Sequence, residues 1–159
     1  MIDFAYLAMD DFMSMLPTGR EADPEWFRVD RSEGQDGPLV AITNGPRGAR
    51  LLSAMRRLVR SLADEEIDIV VDDVCTADEI ADYRALLASH QCLFVKVDVD
   101  AATAAAREVN RGDRMIGLTR EQAGRLHKGI NYDLVVQNAD GQLEHCATRV
   151  LEALGVDRR

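Results

Sequence analysis

The chain has 159 residues, 47% of them hydrophobic, and a formal net charge of −9. That length suits one domain with its own apolar core, and the acidic balance argues against a general affinity for nucleic acid or an anionic membrane, both of which need a basic footprint. No apolar run approaches membrane-spanning length, the acidic N-terminus does not read as a secretory leader, and Cys75, Cys92 and Cys146 show neither metal-ligand nor disulfide-framework spacing, so a reducing cytoplasm is the expected compartment.

Phe4–Met9 is a short apolar run ending in Asp10 and Asp11. It reads as a parallel strand with acids at its C-terminal end, followed by a short helix that Pro17 and Gly19 stop. The acids are either a helix N-cap or a catalytic pair; sequence leaves both open. Trp26–Val29 and Leu39–Thr43 flank a polar, glycine-containing stretch and predict a hairpin. Trp26 and Phe27 are either core or pocket lining. Gly45-Pro46-Arg47-Gly48 then opens a long amphipathic helix to about Asp64, with Leu51, Leu52, Met55, Leu58, Val59 and Leu62 at helical spacing. It lacks the Lys-Ser/Thr ending of a phosphate-binding loop and reads as a turn.

Ile67–Val74 is β-branched and apolar without alternation, the pattern of a strand buried on both faces of a parallel sheet. It ends in Asp72 and Asp73. Ligands of open α/β sheets bind outside the carboxyl ends of the strands, where a carboxylate can hold Mg²⁺ directly or through water; a plain polar turn is the alternative. Thr76 caps a predicted helix over about 77–89, Gln91–Val97 is the next buried strand, and Asp100 caps a helix over 101–110. This alternation predicts a doubly wound parallel sheet.

Arg107 and Arg111 share a helix face. Gly112 ends that helix, and Arg114 follows. Three guanidinium groups here either clamp a phosphate-rich ligand or form a solvated face neutralised by Glu108 and Asp113. Thr119 with Gln122 predicts a capping box for a helix ending near Lys128-Gly129, and His127 reads as its C-terminal residue. Tyr132–Val136 is the last predicted strand and Gln142–Leu154 the closing helix.

Several of these pieces, in order, resemble the chloramphenicol phosphotransferase family within the P-loop kinases: Tyr-Leu-Ala-Met-Asp-Asp-Phe at 6–12, Asn-Gly-Pro at 44–46, Ile-Val-Val-Asp-Asp-Val at 69–74, Arg-Glu-Val-Asn-Arg-Gly-Asp-Arg at 107–114 and His-Lys-Gly-Ile-Asn-Tyr-Asp-Leu-Val-Val at 127–136. The resemblance implies one three-layer α/β P-loop kinase-like domain over residues 1–159, with a lid over 107–118. It implies transfer of the γ-phosphoryl group of ATP to a hydroxyl of a small molecule, with Asp10 taking the hydroxyl proton. Arg111 and Arg114 would close on the phosphates, with Arg107 supporting the lid or lying near the base. Asp72, and less directly Asp73, would act at the water shell of Mg²⁺. It also carries the family's link to antibiotic resistance. The acceptor region, from Asp11 to Thr43, is least like the family, so chloramphenicol itself is not the expected acceptor.

The family's first strand and its Gly-x-x-x-x-Gly-Lys-Ser/Thr loop find no match in this sequence. That loop cradles the triphosphate. A start placed too late is the expected explanation; the alternative is a noncatalytic remnant or binding module. The stretch alone is expected to bind Mg-ATP weakly or not at all.

Overall fold

A computed structural model describes residues 3–20, 23–35, 37–112 and 115–156. Strand β1 (Ala5–Ala8) pairs in parallel with β4 (Ile69–Asp72), Tyr6 lying opposite Val70 and Ala8 opposite Asp72. The pleat sends Leu7, Ile69 and Val71 to one side, onto helix α2 (Pro46–Asp64). Proline at the first position of α2 suits a site whose N–H has no intrahelical partner. Leu52, Met55 and Val59, spaced for one helix face, are buried there with Leu7, Phe27, Tyr83 and Leu87.

The other side of β1–β4 is open: Tyr6 is 62% exposed and Val70 49%. Ile67 and Val74 are exposed as well. The expectation of a strand buried on both faces is therefore not met, because among the described residues β4 has one strand neighbour and its core packing lies on one side.

Strands β2 (Phe27–Gly34) and β3 (Gly37–Asn44) form the expected antiparallel hairpin. Phe27 is a core residue, and Trp26 packs on that core with the Arg47 guanidinium 5.9 Å from its ring centroid. The aromatic pair is thus packing, not pocket lining. A Cβ at Gly45 or Gly48 would collide with the backbone of Pro24–Trp26. The glycines here serve close approach of hairpin and helix.

Helix α3 (Ala77–Leu86) opens with a reciprocal capping box of Thr76 and Glu79. Strand β5 (Val95–Asp98) pairs in parallel with β6 (Leu134–Gln137). Helix α4 (Ala101–Arg111) is capped by Asp100, whose side chain accepts from Thr103 N at 2.9 Å, and ends at Gly112 with φ +68°. Helix α5 (Leu118–Arg125) departs from expectation. Its cap is Gly117, the Thr119–Gln122 box does not form, and it stops short of His127. Thr119 N is instead taken by Glu108 from α4, at 2.8 Å. Helix α6 (Leu143–Leu154) closes the described chain.

The fold is mixed α/β. Its strands make three two-stranded sheets, β1–β4, β2–β3 and β5–β6, where one doubly wound sheet was expected, and no ladder joins the two parallel pairs among the described residues. Arg84 on α3 bridges toward β5–β6. Its guanidinium lies 4.2 Å from the Phe94 ring centroid and donates to Asn131 O at 2.6 Å.

Candidate active site

Both parallel pairs end in carboxylates, and the two ends are built differently. At β1–β4, Asp72 lies on the open face and accepts a hydrogen bond from the Tyr6 hydroxyl at 3.0 Å. Asp10 and Asp11 lie in the first turn of helix α1 (Met9–Ser14), straight after β1. The N-cap position is Ala8, with no side-chain cap, so neither aspartate is the cap. The bond to Asp72, then its charge, with smaller contributions from Asp11 and Asp10, holds the Tyr6 phenol above its ordinary pKa. One carboxylate thus binds this hydroxyl, and two more add negative charge from the start of α1. Sequence reading missed Tyr6; the available signal was strand alternation, which puts Tyr6 and Asp72 on one face once the register is known.

Asp73, one residue on, faces inward. It accepts from Tyr83 OH at 2.9 Å and Val74 N at 2.8 Å, and bonds the Cys75 thiol. Burial pushes the Asp73 carboxyl above the usual carboxylate range, against the pull of these bonds. Burial and the Asp73 charge likewise push the Cys75 thiol and the Tyr83 phenol upward. Asp73 is therefore engaged in internal bonds, whereas Asp72 is open. Among the described residues no group of three His, Cys, Asp or Glu side chains forms a metal cage. Asp72 suits a hard, hydrated cation such as Mg²⁺ that keeps most of its waters.

At β5–β6 the corresponding Asp98 is neutralised by the chain itself. Lys96 Nζ lies 2.8 Å away and Gln137 Nε2 donates at 3.0 Å, and the Lys96 and Gln137 bonds hold the Asp98 carboxyl below its usual range. His127 sits with one ring nitrogen 2.9 Å from Tyr132 OH, and burial lowers its pKa.

Arg107 donates to Asn138 O at 3.0 Å and to Asp140 Oδ1 at 2.7 Å, tying α4 to the turn after β6. Arg111 occupies the exposed last turn of α4, and Arg114 lies outside the described residues. Glu108 is not solvated: it is 5% exposed, and its oxygens accept from Gly117 N at 2.7 Å and Thr119 N at 2.8 Å. Sequence reading cast it only as a charge neutralising the arginine face, because neither backbone partner is near in the chain.

Between the hairpin and the segment before α5 lies an open cleft of about 520 Å³, bounded by Arg31, Ser32 and Glu33 on β2, Leu39 and Val40 on β3, and Ile116. A smaller hollow of about 310 Å³ follows α1, beside Met13 and Leu16.

The scaffold is mixed α/β, with acids at one parallel sheet edge and an arginine-bearing helix by the other. The family described as chloramphenicol phosphotransferase-like protein matches residues 3–155, and the chain belongs to it. Two relatives named "Putative O-phosphotransferase", from Mycobacterium tuberculosis strains CDC 1551 / Oshkosh and ATCC 25618 / H37Rv, are each 24% identical over 154 residues, covering 93% of this chain and 68% of their own length. No described helix is long and apolar enough to cross a membrane.

Proposed function

We propose that the chain takes part in transfer of the γ-phosphoryl group of ATP to a hydroxyl of a small molecule, in the cytoplasm. The observation that carries this reading is the β1–β4 edge, where Asp72 binds the Tyr6 hydroxyl, Asp10 and Asp11 open the helix that follows β1, and neither Asp10 nor Asp72 forms an ion pair with a described residue. Family membership and the relatives' printed names support the same chemistry.

ATP supplies the transferable group when bound, and Mg²⁺ offsets its charge. Asp10 takes the proton of the acceptor hydroxyl, the task of a positioned general base. Asp72 holds the water shell of the metal. Asp73 supports it from behind, by fixing the end of β4 through Tyr83 and Val74. Arg111, together with Arg114, meets phosphate charge, since guanidinium groups pair with phosphate oxygens in a planar fork. Arg107 holds α4 in place through Asn138 and Asp140. Residues 107–118 form the lid, and the stretch from Asp11 to Thr43 forms the acceptor side.

The three-layer P-loop kinase-like arrangement belongs to this proposal. In that arrangement one further parallel strand, bridging the β1–β4 and β5–β6 pairs, would make a continuous sheet. The sequence holds no Gly-x-x-x-x-Gly-Lys-Ser/Thr loop, and arginines alone do not replace its backbone cradle. The second reading is a noncatalytic binding module on the same scaffold.

The test is Asp10→Asn in a protein extended upstream to include such a strand and loop, assayed for transfer of labelled phosphate from ATP to a panel of hydroxyl compounds. Turnover falls by about 10²-fold or more, the scale of general-base loss, with ATP affinity unchanged. Near-full turnover by the variant overturns the assignment. Calorimetric titration of the 159-residue chain with Mg-ATP shows very weak binding or none; micromolar binding would show that the loop is dispensable. An extended protein that binds no ATP supports the noncatalytic module.

A further inference from the structure

Glu108 is a buried carboxylate near the C-terminal end of α4, 5% exposed. Its Oε2 accepts from Gly117 N at 2.7 Å and its Oε1 from Thr119 N at 2.8 Å. Bonds to an ionised carboxylate are shorter and stronger than neutral ones. Gly117 itself, at φ +96°, lies so close to the hairpin that a Cβ would run into the Pro38 carbonyl oxygen. Its own carbonyl accepts from Val40 N at 3.4 Å. One carboxylate on α4 thus fixes the first turn of α5, and that turn is pressed onto β3. Ile116, next to this fixed point, forms one wall of the 520 Å³ cleft, and Leu39 and Val40 form the other. Ile116 is 48% exposed, an apolar side chain that a ligand in the cleft would cover.

We infer that Glu108 is a positioning residue for acceptor binding. It acts through the backbone of Gly117 and Thr119 to set the width of the cleft between Ile116 and the hairpin, and it touches no reacting atom. The ligand class is an amphipathic, hydroxyl-bearing small molecule whose apolar body lies on Leu39, Val40 and Ile116 and whose polar groups meet Arg31, Ser32 and Glu33. This inference rests on the phosphotransferase reading for its purpose, but its test does not need phosphoryl transfer.

The probe is 3-phenyl-1-propanol, followed by methyl NMR of Leu39, Val40 and Ile116, with amide hydrogen exchange read in parallel. In the wild-type chain the alcohol shifts these three methyl sets. Glu108→Gln keeps the size of the side chain but places an N–H₂ group where an acceptor stood. It speeds exchange at Gly117, Thr119 and Val40 by about tenfold or more, the scale of a lost bond to a charged group, and weakens the alcohol-induced shifts by a similar factor, while amides of α2 keep their protection. Ile116→Ala, at a half-exposed site, weakens the shifts without changing exchange at Gly117. Shifts centred on Met13 and Leu16 instead of the cleft overturn the inference, as do unchanged exchange or unchanged shifts in Glu108→Gln. An Asp10→Asn result that sinks the kinase reading leaves these readouts intact.

Discussion

The parallel pairs β1–β4 and β5–β6 share a plan, two strands with acids at their C-terminal ends, but balance those acids in opposite ways. Asp98 at the β5–β6 end is met by Lys96 and Gln137. Asp72 at the β1–β4 end is met by the neutral Tyr6 hydroxyl, with Asp10 and Asp11 adding negative charge nearby. The packing differs too. β1–β4 joins the main buried cluster through Leu7, whereas Val136 of β6, 2% exposed, is buried outside that cluster; each pair leaves its other side open, with Val70 49% and Val97 58% exposed. An edge that leaves its charge uncancelled over a firm core is suited to chemistry; an edge that cancels its own charge is suited to carrying the structure around it.

The largest test of this contrast concerns stability. Met55→Ala empties a site with no exposed surface and should cost about 2–5 kcal/mol, as large-to-small core changes do. Val97→Ala should stay within about 0.5 kcal/mol, as exposed substitutions do. Urea unfolding of both variants checks the pair, and equal losses would erase the asymmetry.

Next in size is the response to pH. The Asp73 carboxyl is raised above 3.8 in the fold by burial, so the folded state holds that proton more tightly than the unfolded chain. Its contribution to stability is greatest below 3.8 and is lost as pH rises through the raised value. Asp98 is lowered from 3.8 by its Lys96 and Gln137 bonds, so its contribution is present above 3.8 and is lost as pH falls through the lowered value. Asp73→Asn should therefore gain on wild type as pH rises out of the carboxylate range, and Asp98→Asn should close its deficit on acidification. Denaturant midpoints of the three proteins across acidic and neutral pH decide it; parallel curves would break the comparison.

The smallest effect is spectroscopic. The bond to Asp72 is the first cause of the raised Tyr6 phenol, so Asp72→Asn should bring one tyrosine titration back toward 10. Absorbance at the phenolate band reads this, with Tyr6→Phe identifying the tyrosine. No change on Asp72→Asn would mean that the edge carries no unbalanced field.

Local chemistry was legible in the sequence wherever cause and effect lie within a few residues. The Thr76–Glu79 box, the Asp100 cap, the apolar stripe of α2 and the Gly112 stop all stand as the sequence predicts. The parallel pairing of the apolar runs also followed from pattern. Asp72 and Asp73 could not be told apart, because adjacent strand residues point to opposite faces and only the register says which face is open. The Thr119–Gln122 box misled for a related reason. The local pattern is present, but Glu108, eleven residues earlier, takes the Thr119 N–H that the box needs. The strand reading of Ile67–Val74 overstated burial because an unbroken apolar run reports what a strand is suited to pack against, not what covers it in the described chain.

Arg84 gives the assembly of this chain an order in time. Pairing Ala5 with Ile69 and Val95 with Leu134 both close long loops, which makes each a slow event relative to forming α2. Arg84 belongs to α3, whose Tyr83 lies in the first core, yet its guanidinium holds Phe94 and Asn131 at the entrance to the second pair. An α3 settled on α2 would already place Arg84 to receive the second pair. Arg84→Lys keeps the charge and loses the flat stacking surface. Stopped-flow refolding should be slower in this variant than in the wild type, and equal rates would show that Arg84 plays no part in docking the second pair.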